Sequence, residues 1–158
     1  MLTQTGTTTV NAAFLKDLKA DNLHLRELLL ALNQIFSRPI RRSIRPVRLA
    51  ELLGRLRDQL ATHFALEEFF GYFDDAVNVA PRLSIQADIL RSQHEALFSE
   101  ICDLVNDAES LLYHESQTIN VDDVAQRYRS FNEHLRSHET CENALILNAL
   151  HEDIGVAD

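Results

Sequence analysis

Apolar residues along this chain recur every three or four positions, the spacing that turns one face of a helix toward a core. Alternating runs of the kind that mark strands are absent from the sequence. The first stripe, Phe14, Leu18, Leu25, Leu28, Leu32 and Ile35, predicts a helix from about Asn11 to Ser37. It should stop before "RPIRRSIRP", because Pro39 and Pro46 disfavour helix at the residues preceding them. Pro46 is well placed to open a second helix reaching about Ala76, with Leu49, Leu53, Leu56, Leu60 and Phe70 inward. A third is expected from Pro81 to Tyr113, its stripe formed by Leu90, Leu97, Ile101, Leu104, Ala108 and Leu111. The fourth should begin after Asn120, a good N-cap, where Asp122 and Asp123 complement the helix dipole. It is expected to run to about Leu150. Four long helices with short connections predict an all-α fold, an up-down-up-down antiparallel four-helix bundle. The bundle is expected over residues 11–151, between a polar tail of 1–10 and a C-terminal tail of 152–158.

The stripes are not purely apolar. On the fourth helix Leu135, His138, Glu142 and Leu145 continue one unbroken face, and on the second Leu60, His63, Glu67 and Phe70 repeat the arrangement. Glutamate is rarely buried without a partner, because an unpaired buried carboxylate is expensive. Two in one core require positive charge, and no lysine or arginine shares those inward stripes. Histidine or a bound cation remains. His94 falls on the third stripe between Leu90 and Leu97, and His24 sits at the edge of the first, next to Leu25. Each half of the chain thus offers a helical hairpin with two histidines and a glutamate.

A single His-x-x-x-Glu on a helix is ordinarily a solvated pair. Six such residues in repeated register point instead to a metal cage of His24, His63, Glu67, His94, His138 and Glu142. The alternative is a metal-free polar network in which these groups satisfy one another. Imidazole and carboxylate without thiolate suit iron, manganese or zinc. Six ligands exceed the four of a tetrahedral zinc, and favour two metals bridged by Glu67 and Glu142. Asp21, one turn from His24 on the inward stripe, could accept the free ring N–H of a ligand histidine, with Glu139 a weaker candidate for that role. His134 lies roughly 80° from the centre of its helix's stripe at ~100° per residue, at the boundary of the site. His114 and His151 are expected to face solvent.

Composition and charge narrow the rest. The 158 residues suit one domain, and a formal net charge of −9 argues against a nucleic-acid partner. No apolar run is long enough to cross a membrane, so no membrane association is expected. The start "MLTQTGTTTV" lacks the basic and apolar segments of a signal peptide. With Cys102 and Cys141 isolated from one another in sequence, a reduced, cytoplasmic location is expected. Five arginines in "RPIRRSIRPVR", Arg38 to Arg48, read as a solvated loop or as a docking site for an acidic partner. Oligomeric state is not legible.

The ligand pattern resembles the hemerythrin-like, or HHE cation-binding, family of di-iron four-helix bundles, over about residues 11–150. In that family a histidine on the first helix, His-x-x-x-Glu on the second, a histidine on the third and His-x-x-x-Glu or a near variant on the fourth bind two irons. These positions match His24, His63 with Glu67, His94, and His138 with Glu142. The resemblance implies two iron ions with an oxo or hydroxo bridge, ahead of manganese or zinc. Oxygen carriers of the family place a second histidine where this chain has Phe98, and end the fourth helix's motif with His-x-x-x-x-Asp. The four-His, two-Glu set looks more like the domains of iron–sulfur-cluster repair and nitric-oxide-responsive proteins. Phe98 is expected to wall the open coordination positions and favour small uncharged ligands. The implied function is binding or reduction of O2, NO or peroxide in sensing, scavenging or stress protection. An iron-sensing module without turnover is the alternative.

Overall fold

The structure, a computed structural model, describes the backbone of residues 8–37, 44–69, 72–114 and 118–155 and the side chains of 21–37, 44–69, 73–114 and 118–151. Four long helices, α1 (Thr8–Ser37), α2 (Pro46–Phe69), α4 (Ser84–Tyr113) and α5 (Val121–Gly155), form an antiparallel bundle. A short helix, α3 (Tyr72–Val79), and a 3-10 turn at Pro81–Leu83 link α2 to α4. The expected second helix is therefore divided. Its final segment, with Phe73 and Ala76 buried, packs chiefly against α5. The sequence between Phe69 and Tyr72 includes a glycine, a residue type that costs a helix interior about 1 kcal/mol relative to alanine. Phe70, expected on the inward stripe, lies outside the described residues together with Gly71.

Local chemistry sets the helix ends. The first helical residue of α2 is Pro46, and Arg45 offers its carbonyl to the amides of Arg48 and Leu49. At the end of α4, His114 takes the left-handed conformation (φ 54°, ψ 32°) and returns its N–H to the Ser110 carbonyl. Asn120 and Asp123 cap α5 reciprocally, each side-chain oxygen accepting the other's backbone N–H at 3.0 Å.

The core has two apolar parts separated by a polar layer. The larger is built from leucines of α1 and α2 with Leu97, Ile101, Leu104, Tyr128, Phe131 and Leu135. The smaller joins Phe73, Ala76, Leu83, Ala87 and Leu90 to Leu145 and Ala149. Between them, on every long helix, the stripe turns polar: Asp21, His63 with Glu67, His94, and His138 with Glu142 are all buried. Burying each leucine of the apolar parts contributes roughly 1.5–3 kcal/mol. That stabilisation offsets the desolvation of the six polar side chains between them.

Helix α1 lies along α2, α2 along α4, and α4 along α5, while the backbones of α1 and α5 stay further apart. One end of this looser seam is closed. Tyr128 of α5 stacks on Phe36 of α1 (ring centroids 4.6 Å apart) and donates its hydroxyl to Asn33 Oδ1 at 2.8 Å. At the polar layer the same seam opens into a cavity of ≈ 140 Å³.

Candidate metal centre

The i, i+4 spacing of His63–Glu67 on α2 and His138–Glu142 on α5 puts each pair on one face. His63 Nε2 lies 2.9 Å from Glu67 Oε1, and His138 Nε2 lies 2.8 Å from Glu142 Oε1. His94 of α4 comes between the two pairs, its Nε2 3.3 Å from Glu67 Oε2 and 3.4 Å from Glu142 Oε1. One ligand atom from each of Glu67, His94, His138 and Glu142 lies within 4.8 Å of the others.

The outer edges of the imidazoles are held too. His63 Nδ1 donates to Asp21 Oδ2 at 2.6 Å, and Gln59 donates to the other Asp21 oxygen. His94 Nδ1 donates to Glu68 Oε1 at 3.0 Å, and His138 Nδ1 to Gln93 Oε1 at 2.8 Å. A carboxylate or amide oxygen can only accept, so each ring keeps a proton on Nδ1 and turns Nε2 inward. This is how ligand histidines are oriented in metal sites.

Inside, two of the polar atoms are left without a hydrogen bond. Glu67 Oε2 and His138 Nε2 are buried yet have no hydrogen bond, although both lie within ion-pair distance of an opposite group. Both meet an opposite group off the hydrogen-bonding direction, in a cluster whose ligand atoms converge to within 4.8 Å. Such convergence needs protons or a cation between the groups.

Without metal, protons do this work. Burial by itself pushes His63 down, but hydrogen bonds to Asp21 and Glu67 outweigh it and raise the ring to about 10. His94 follows the same balance, burial against Glu142, Glu67 and Glu68, and reaches about 9. Burial would raise Glu142, yet His138 and His94 beside it bring it down to about 2. Glu139 is pushed up, first by burial and then by the carboxylates of Glu142 and Glu67, against the opposing pull of His63 and His138. The donors are nitrogen and oxygen only, and both cysteines are free, Cys102 half-buried and Cys141 exposed. The set fits iron or manganese, and zinc in a four-coordinate site.

Three expectations need correction, those for His24, Phe98 and His134. His24 does not join the cluster: its side chain is 69% exposed, 3.8 Å from Glu27, on a surface groove between α1 and α2. At ~100° per residue it stands roughly 70° from the centre of the stripe of Asp21, Leu25, Leu28 and Leu32, enough to face solvent. Phe98 is half-buried against the larger apolar part and makes no ring contact with a site histidine. The aromatic wall is instead Phe64, stacked on His94 at 4.2 Å and 12°, with Phe73 at 5.8 Å from the same ring. His134 is exposed and pairs with Glu100 at 2.9 Å, away from the cluster. Glu139, half-buried, lines the cavity at the α1–α5 seam beside His63, Glu67 and Glu142. Among the arginines of the basic stretch, Arg38, Arg41 and Arg42 lie outside the described residues, and Arg48 pairs with Glu51.

The residues missed from sequence are Phe64, Phe73, Glu68 and Gln93. Phe64 directly follows His63, but periodicity within one helix cannot say which ring on a neighbouring helix it meets. Gln93 and Glu68 reach their histidines across helix pairs, and nothing in the spacing of one helix marks that. Among the described residues, no helix is long and apolar enough to cross a membrane.

The sequence model of the hemerythrin HHE cation-binding domain matches residues 13–150. Comparison with curated proteins and with solved structures found no match.

Proposed function

The chain belongs to the hemerythrin HHE cation-binding family, and from that premise we propose that it is a non-haem di-iron protein that binds or reduces O2, NO or peroxide. Its role would be sensing, scavenging or stress protection, including iron–sulfur-cluster repair. The observation that carries this reading is the convergence of imidazole Nε2 atoms and two buried carboxylates, with each ring tethered at Nδ1 and two inner atoms left without a hydrogen bond.

Iron bound there supplies redox chemistry and coordination positions for a small molecule. The chain does the rest. His94, His138, Glu67 and Glu142 would hold the metal; Glu67 stands between His63 and His94, and Glu142 stands between His94 and His138 and lines the cavity with His63. Asp21, Glu68 and Gln93 keep the rings in orientation and raise their basicity. Phe64 and Phe73 shield one flank from water. The cavity at the α1–α5 seam gives a small molecule an approach from the other flank.

The test exposes anaerobically reduced, iron-loaded protein to O2, NO and H2O2 in turn and follows near-ultraviolet and visible absorption. New bands with at least one of the three are expected. Iron-loaded protein that stays spectrally inert to all three would overturn the small-molecule reading.

A regulatory metal-binding module without turnover is the second reading. It is favoured by the way the polar layer draws its residues from all four long helices, so that metal would tie the bundle together. Far-ultraviolet circular dichroism separates the two: a large gain of helix on loading favours the regulatory module, and a helical bundle before loading favours the small-molecule centre.

A further inference from the structure

The four-residue cluster leaves His63 outside it, although His63 Nε2 touches Glu67. The cavity at the α1–α5 seam does not include His94 in its lining; its polar side chains are Asn22, Arg26, His63, Glu67, Glu139, Glu142 and Asn143. This space holds one tethered imidazole, three carboxylates, two amides and, from α1, the Arg26 guanidinium. Glu67 and Glu142 are 3% and 5% exposed, and the Glu139 carboxylate takes no hydrogen bond from the described residues. From α1, where a histidine ligand was expected, the polar side chains that reach the cavity are Asn22 and Arg26, while His24 points to solvent.

We infer that the second metal position lies in this cavity, held by His63 and Glu139 with Glu67 and Glu142 shared, and that Asn22 stands where α1 would offer a ligand. The inference rests on the di-metal reading above and specifies how that centre is built. The two positions are then chemically unlike. The first has two imidazoles, His94 and His138, whose donors already lie together. The second has one imidazole and an extra carboxylate, and Glu139, though it lines the space, is not among the donors that already lie together. An oxygen-rich position of this kind is harder in character and loads after the preformed one.

Calorimetric titration of chelator-treated, full-length protein with Fe2+ under anaerobic conditions tests this, with circular dichroism confirming that each variant folds. Wild-type protein should take two equivalents in two unequal steps. Glu139→Ala should lose the weaker step and keep the stronger, whereas His24→Ala should keep both. Asn22→Ala should weaken the second step alone. Two steps that survive Glu139→Ala, or a second step lost in His24→Ala, would overturn the inference and leave the di-metal reading standing. One equivalent in wild-type protein would overturn it too, leaving the four-residue cluster as a mononuclear site. No uptake by folded wild-type protein would overturn the metal reading itself.

Discussion

Asp21 makes the sharpest prediction, because it touches no metal and acts only through His63. Both side chains are almost completely buried, 4% and 5% exposed, and the carboxylate lies 2.6 Å from Nδ1. A hydrogen bond to a charged group in such a place is worth about 1.5–3 kcal/mol. At 1.4 kcal/mol per factor of ten, removing it should weaken metal binding through His63 by about 10- to 100-fold. That range agrees with the general cost of losing a partner behind a ligand histidine. Asp21→Asn keeps an acceptor without the charge. A neutral bond has about half the strength, so its loss should be ~3- to 10-fold. Glu68→Gln should do less, since Glu68 is 49% exposed and water screens its contact with His94. The assay is Fe2+ competition against a chelator of known affinity, with the melting temperature of the metal-free variants measured in parallel. Equal affinities for wild type and Asp21→Ala would refute the argument that α1 supports the site through this contact. So would a larger effect from Glu68→Gln than from Asp21→Ala.

Other outcomes follow from the same geometry. Phe64→Ala should cost about 3–5 kcal/mol of stability and lower metal affinity by removing the ring behind His94; Phe98→Ala should lower the melting temperature but leave metal content unchanged, and the reverse pattern would contradict the placement of the aromatic wall. His134→Ala should change stability by no more than about 0.5 kcal/mol and leave iron content unchanged, because its pairing with Glu100 is on the surface; lost iron would return His134 to the site. In chelator-treated protein, His63 and His94 are raised from 6.5 to about 10 and 9, so their stabilising contacts are complete below about pH 6.5 and lost as pH rises through 9 to 10. Glu142, lowered from 4.5 to about 2, contributes fully above pH 4.5 and loses its contribution as pH falls toward 2. The metal-free melting temperature should therefore decline from pH 7 to pH 10, and a steady rise over that range would contradict the assigned charges.

Much of the fold was legible because each long helix repeats its apolar spacing over many turns. Val124, Tyr128, Phe131 and Leu135 on α5 are all buried, as their period requires. The polar layer was legible for a related reason: His138 and Glu142 interrupt a stripe without leaving it, and only a compensated carboxylate survives there. What spacing could not supply was rotation near the edge of a stripe. His24 and Asp21 are three residues apart on α1, close enough that pattern alone admitted both, and packing against α2 turned Asp21 in and His24 out. Contacts between helices were equally hidden, which is why Phe64 and Phe73 had no mark as the wall around His94. The second helix is divided between Phe69 and Tyr72, where the sequence carries a glycine, a signal the apolar stripe overrode.

The most direct test of the central claim is iron content per chain, by elemental analysis of protein expressed in iron-supplemented medium and shown to be folded by circular dichroism. Close to two irons per chain is the expected result, from a buried layer in which Glu67 lies between His63 and His94, and Glu142 pairs with His94 and His138 and lines the cavity beside His63. A folded, helical protein that holds no metal, and takes none up from Fe2+, would contradict it. The buried histidines and glutamates would then be a proton-filled polar network.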